Sequence, residues 1–233
     1  MNLKTWTPAA GCLLFLFLSA PQGRGAIGCT LSNPAQDLKY LFPEMTTYRE
    51  EVRDLDKLPD GRKVYDGLKD RIGAVLDPLY EAFETPYTVY TVFKDGQVVG
   101  IVHGVNVPGE GGVIQIFVSA TPEKGAIRRL FFQRLESVAA RWLKQRTFLD
   151  QFKGLTLADF YKHDYFKAAD SVPEQDRVGR IQSPLPDEKG RADYEAAMRG
   201  VRKNLVLLDV FVYQRQNEVF FQKAQEALAG LKK

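Results

Sequence analysis

The chain has 233 residues, 45% of them hydrophobic and 26% charged, with 32 bases, 29 acids and a formal net charge of +3. That composition is that of a folded globular chain and excludes disordered and collagen-like classes. The near-balance of charge gives no electrostatic footprint for nucleic acid.

Residues 1–28 read as an export leader. Lys4 gives a positive start, residues 9–20 form an uncharged apolar run, and Pro21, Gly23 and Gly25 break it. Ala26 and Gly28 place small residues at −3 and −1 of a cut before Cys29. The run is too short to span a bilayer comfortably. Less Lys4 and Arg24, which leave with the leader, the 32 bases become 30 against 29 acids, so the mature chain is close to neutral. Cys12 leaves as well, and Cys29 alone cannot form an intrachain disulfide. Ala26-Ile27-Gly28-Cys29 resembles a lipoprotein processing box, which makes Cys29 the candidate lipidation site. Localisation is then periplasmic or membrane-anchored, with acyl chains doing the anchoring; a soluble exported protein is the alternative.

Residues 29–85 read as a leader segment plus a helix. Asn33 or Pro34 starts a short helix that Pro43 ends, and residues 46–52 are extended. Val64, Leu68, Ile72, Val75, Leu76 and Leu79 recur at helical spacing, up to a stop or kink at Pro78.

Residues 86–213 read as the main domain. Residues 87–93 and 98–105 are rich in aromatic and β-branched side chains and flank Asp95-Gly96, a pair suited to a type I′ hairpin turn. The glycine-rich residues 108–112 lead into a third strand, residues 113–120, and a turn at 122–125 leads into a fourth, residues 127–132. The fold class is therefore α+β, an antiparallel β-meander packed with helices. Residues 137–144 read as helical, with Val138, Trp142 and Leu143 inward, and Phe148, Phe152, Leu155, Leu157 and Phe160 form an apolar cluster. Residues 161–193, with three prolines and much charge, read as a loop. From Tyr194 onward the pattern is one long helix, whose residues 214–233 form a tail carrying Val219, Phe220 and Phe221.

Most catalytic constellations are absent. There are two histidines, His103 in a strand pattern and His163, and one mature cysteine, so neither a dense Cys/His metal cluster nor a Ser-His-acid triad is signalled. No Walker loop and no GxGxxG opening a helix occurs. The backbone amides of Gly109, Gly111 and Gly112 are candidate phosphate donors, although such glycines often serve only to permit a turn. Tyr161, Tyr165, Phe160 and Phe166 are candidates to stack on a planar ring or to fill core.

These features together resemble the exported FMN-binding domain family, which includes the flavin subunits of Rnf and Na⁺-translocating NADH:quinone oxidoreductase complexes. The resemblance is carried by residues 87–93, Asp95-Gly96, Gly100, Gly109 to Gly112 and Gly125-Ala126-Ile127-Arg128. Glu136-Ser137 stands where the family has a Glu-Thr pair, and Phe148, Gln151, Phe152 and Gly154 match its F..QF.G segment. Cys29, Pro34, Asp37 and Leu41-Phe42-Pro43 are similar to the leader of some members. The resemblance implies FMN contacts from Gly109, Gly111, Gly112, Glu136, Ser137, Gln151 and Ser183, and electron transfer beside a membrane redox complex. One departure bears on attachment. Members with covalent flavin carry Ser-Gly-Ala-Thr before the last helix, whereas residues 182–187 here contain no threonine. Thr121 ends a strand and is not assigned that role. The flavin is therefore expected to be noncovalent, with Arg177, Arg180 and Arg191 as further candidates for its phosphate. The alternative from the same departure is a domain that kept the fold, lost the cofactor and serves as an accessory or scaffold of an envelope complex.

Overall fold

The computed structural model describes residues 29–73, 82–171 and 173–231. The export leader and the Val75, Leu76, Pro78 and Leu79 end of the first long helical pattern lie outside the described residues.

A five-stranded antiparallel meander in the order β1-β2-β3-β4-β5 forms the frame. Its strands are β1 (Thr47–Asp54), β2 (Pro86–Lys94), β3 (Gln97–Gly109), β4 (Gly112–Ala120) and β5 (Ile127–Leu135). The β2–β3 turn has φ of 49° at Asp95 and 81° at Gly96, the left-handed pair that a type I′ hairpin requires. β1 is the extended segment at residues 46–52, which adds a strand at the β2 edge.

Both faces of the sheet are covered, so the central strands are apolar nearly throughout, without a polar alternate. On one face α6 (Arg191–Phe211) lies across β3 and β4, setting Ala197, Val201 and Leu205 against Val105, Val107, Ile116 and Val118. Gly200 lets it come close, because a Cβ there would stand 2.5 Å from Ile116 Cδ1. On the other face α1 (Pro34–Leu41) and the residues around it bring Leu31, Leu38, Leu41 and Phe42 onto Tyr90, Val92, Val102 and Phe117. Phe42 is fully buried over Gly100, where a Cβ would sit 2.2 Å from its ring. Burial of that ring contributes about 2–3 kcal/mol. The Tyr90 hydroxyl accepts from the Leu31 amide at 3.0 Å, and burial pushes its pKa up to about 12. The segment before the sheet is thus packed into the domain.

Three sequence expectations change. Residues 161–193 are not loop throughout: α5 runs Leu157–Ala168, and irregular chain occupies only residues 169–171 and 173–190 of the described ones. Asp159 starts α5 by accepting from the Thr156 amide and hydroxyl, both at 2.8 Å. Phe160 and Tyr161 are buried on this helix, and Tyr165 is partly exposed. Residues 137–144 yield only the single turn α3 (Ala140–Leu143), followed by α4 (Arg146–Leu149) and a 3₁₀ turn, Asp150–Phe152. Extended backbone at Gln145 separates α3 from α4, and Val138 points outward, 58% exposed, while Leu143 is buried. The last helical pattern is two helices: α6 stops at Phe211 and α7 (Glu218–Leu231) packs on α5. Gln214 and Arg215 adopt φ of 52° and 59°, and the Asp209 carbonyl accepts from the Arg215 amide at 2.8 Å. Arg215 also clasps Asp60 through two bonds, at 2.5 and 2.6 Å.

Candidate functional site

The glycine segment is a tight turn whose concave side is filled from within the molecule. Gly109 and Gly112 face each other across β3 and β4, leaving Glu110 and Gly111 as the two turn residues. Two other segments press on it. The loop after β5 brings Glu136 so close that a Cβ on Gly111 would stand 2.1 Å from its carbonyl oxygen. A Cβ on Gly112 would meet the Glu136 carboxylate at 2.6 Å. The first turn of α6 brings Asp193, whose Oδ1 lies 2.7 Å from where a Gly109 Cβ would be.

Asp193 is 1% exposed, and its carboxylate ties the three segments together. Oδ1 accepts from the Glu110 amide at 2.6 Å, and Oδ2 accepts from the Ser137 hydroxyl. The Ser137 oxygen in turn accepts from the Ala139 amide at 2.9 Å. Gly190 caps α6 with φ of 85° and touches Ala139, where a Cβ would meet that residue's Cβ at 2.6 Å. The Glu110 amide and the Ser137 hydroxyl form a small anion-binding arrangement, and a carboxylate of the chain occupies it.

The expected cofactor contacts therefore fall into two groups. Gly109, Gly111, Gly112, Glu136 and Ser137 gather around Asp193. Gln151 and Ser183 lie together in a separate cleft of about 390 Å³, which Thr147, Phe148 and Pro184 also line. There Gln151 is already engaged: its Oε1 accepts from the Gln182 amide at 2.8 Å and its Nε2 donates to the Gln182 carbonyl at 3.2 Å. Glu136 pairs outward with Arg134 at 2.7 Å. Of the candidate phosphate bases, Arg191 is held by Glu188 and Glu195 at 3.1 and 3.3 Å, and Arg177 donates to the Gly154 carbonyl at 2.9 Å. Arg180 is exposed.

An FMN phosphate does not fit the turn as it stands. The Ser137 hydroxyl, one of the donors expected to receive it, already serves Asp193, as does the Glu110 amide between the candidate glycines, and the carboxylate would repel a dianion at contact distance. Cys29, the candidate lipidation site, is buried at 3% exposure among Leu31, Leu38 and Phe42, so an acylated sulfur has to turn out of that cluster.

Neither histidine forms a catalytic constellation. His103 is fully buried between β3 and α6. Asn204 Nδ2 donates to the carbonyls of Ile116 and Gly200, both at 3.1 Å, which fixes its Oδ1 as the acceptor facing His103 Nδ1 at 2.8 Å. The proton therefore sits on Nδ1, and Nε2 has no hydrogen-bond partner among the described residues. Burial lowers the His103 pKa to about 4, with Lys203 adding to the effect and Asn204 opposing it. His163 Nδ1 pairs with the buried Asp176 at 2.9 Å, and no serine, threonine or cysteine among the described residues is hydrogen-bonded to either. No group of three or more metal-ligating side chains occurs among the described residues, and no helix among them is long and apolar enough to cross a membrane.

Asp193 was not anticipated from the sequence. The one local signal is an acid in the first turn of a helix that follows Gly190, a pattern usually explained by the helix dipole alone. No protein-family model matches the chain, and no curated protein is similar enough to match it.

Proposed function

We propose that this chain is an exported accessory protein of an envelope complex, built on an FMN-binding-type sheet and working without the cofactor. The observation that carries the reading is the Asp193 carboxylate in the seat of the glycine turn, bonded to the Glu110 amide and the Ser137 hydroxyl. It supplies internally the negative charge that a flavin phosphate would otherwise bring. The absent threonine in residues 182–187 supports the same reading. Export rests on the leader pattern of residues 1–28, with Cys29 as the attachment point if a lipid is added.

A second reading, noncovalent FMN and electron transfer beside a membrane redox complex, has one observation in its favour. Gln151 and Ser183 open on the same cleft, with the Phe148 ring at its side. In that reading the phosphate is held there and not by the glycine turn. Titration decides between the two. The purified exported protein is expected to be colourless and to leave FMN fluorescence unquenched. A yellow protein, or saturable quenching, refutes the accessory reading and supports the carrier.

A further inference from the structure

The two edges of the sheet differ in what they offer a partner. β1 carries Arg49 and Arg53, which share Glu51 in ion pairs at 3.1 and 3.0 Å. Charges of both signs on an outer strand are a recognised guard against further pairing. β5 is the opposite edge and pairs only with β4. Its outer side is engaged at one end, where Ile127 exchanges backbone bonds of 2.8 and 2.7 Å with Leu155 and Gly154. Among the described residues, no backbone group from outside the sheet bonds to residues 129–132. Irregularities in the β4–β5 register fall on either side of this stretch, near Ile127 and near Gln133, so residues 129–132 form one regular run. In such a run alternate residues direct both N–H and C=O away from the neighbouring strand.

This run lines a cleft of about 460 Å³. One wall is Tyr40 and Leu41 of α1, and the other is formed by Lys144, Arg146, Leu149 and Lys153. Tyr40 is 70% exposed at the rim. Four bases line the cleft against one acid, Asp150. Asp150 is shared by Arg146 at 3.3 Å and Lys153 at 2.8 Å. Arg129 donates only to the Tyr40 carbonyl, at 3.2 Å, and Lys144 has no carboxylate partner among the described residues. The cleft thus combines an unpaired strand edge, apolar side chains on both faces of that strand, Leu130 and Phe132 on one and Phe131 on the other, and unneutralised positive charge.

We infer that the outer edge of β5 takes up an extended, acidic segment of a partner protein as a sixth strand. The inference rests on the accessory reading and gives the chemistry of the partner. Backbone pairing along residues 129–132 supplies a register of about four residues, roughly 13 Å of strand. Arg129 and Lys144 receive carboxylates, and the alternate side chains of the added strand lie beside Leu130 and Phe132 on one face and Phe131 on the other.

The test uses the purified exported protein and a fluorescein-labelled peptide of alternating valine and glutamate, read by anisotropy. Two control peptides carry lysine for glutamate, or N-methyl groups on alternate amides. The acidic peptide is expected to bind and to slow amide exchange at residues 129–132, and the lysine peptide is expected not to bind. N-methylation, and the double variant Arg129→Glu/Lys144→Glu, are each expected to weaken binding about tenfold or more. Both variant side chains are outside the core, and circular dichroism checks that the fold is kept. Failure of the acidic peptide to bind, or equal binding of the N-methylated form, overturns the inference. So does a native dimer that the double variant dissociates, which makes a second copy the occupant. So does binding of the delipidated protein to phosphatidylglycerol vesicles with the same dependence on Arg129 and Lys144, without peptide binding. A protein that binds FMN and also takes the acidic peptide overturns the accessory reading alone. One that holds an envelope partner unaffected by the double variant overturns the edge inference alone.

Discussion

Asp193→Ala removes the carboxylate that joins the glycine turn, the loop after β5 and the start of α6. Asp193 is 1% exposed and accepts from the Glu110 amide and the Ser137 hydroxyl. A hydrogen bond to a charged group contributes about 1.5–3 kcal/mol. The two donors cannot both find water in the closed turn, but Ser137 can rotate, so the expected loss is about 3 kcal/mol. In urea, with a slope of about 2–3 kcal/mol per molar, the midpoint falls by about 1 M with the slope unchanged. Asp193→Asn keeps the shape and one acceptor, and its loss is about half as large. The assay also carries an arm that a simple packing defect would not move. Emptied of its carboxylate, the turn keeps the Glu110 amide and the Ser137 hydroxyl facing one point. Inorganic phosphate is therefore expected to raise the midpoint of Asp193→Ala and to leave the parent protein unchanged. A variant within about 0.5 kcal/mol of the parent, the range of ordinary surface substitutions, refutes the view that this carboxylate holds the turn.

Three further outcomes follow from the packing. His103 has a folded pKa of about 4 against an ordinary 6.5, so it stays neutral in the fold while the unfolded chain takes up a proton. Its contribution is present above about 6.5 and is lost as pH falls to about 4; it amounts to about 3 kcal/mol, and His103→Leu should flatten that part of a stability-against-pH curve. Gly111→Ala places a Cβ 2.1 Å from the Glu136 carbonyl, and a loss of about 3 kcal/mol in denaturant melts is expected. Unchanged stability would mean that this loop yields freely. Tyr90→Phe removes the acceptor for the Leu31 amide at 3.0 Å; it should cost about 1 kcal/mol and speed amide exchange at Leu31 while the central strands stay protected.

Local chemistry made the sheet legible. Asp95-Gly96 demands its turn, β2 to β5 are dense in strand formers, and Asn33-Pro34 with Pro43 brackets α1. What escaped depends on distant partners or on a signal that its surroundings obscured. Thr156 and Asp159 announce α5, with Leu157, Phe160 and Tyr161 at helical spacing, but the prolines and charge beyond Ala169 mask the continuation of the helix past Tyr161. The break between α6 and α7 carries neither glycine nor proline. Gln214 and Arg215 hold left-handed backbone because Asp209 and Asp60 fasten them, and Asp60 lies 155 residues away from Arg215. The glycine turn was readable as a close approach, yet its occupant stands 83 residues beyond Glu110. Sequence spacing carries no trace of such a contact.

A turn that gathers an amide and a hydroxyl suits an anion, and the source of that anion decides how stability is controlled. When a dissociable phosphate supplies it, the folded state is stabilised by RT ln(1 + [L]/Kd), about 2.7 kcal/mol at a hundredfold excess over Kd, and weakens as ligand is lost. Asp193 is tethered in the first turn of α6 and cannot be diluted away. A phosphate competing for the same donors meets a carboxylate already in place and a like charge at contact distance. A turn closed from within holds no exchangeable ligand, and the end of the sheet stays closed without one. Function is then displaced to surfaces the carboxylate does not seal. At the edge of β5 backbone polar groups, apolar neighbours and unneutralised bases coincide, and a partner strand satisfies all three at once.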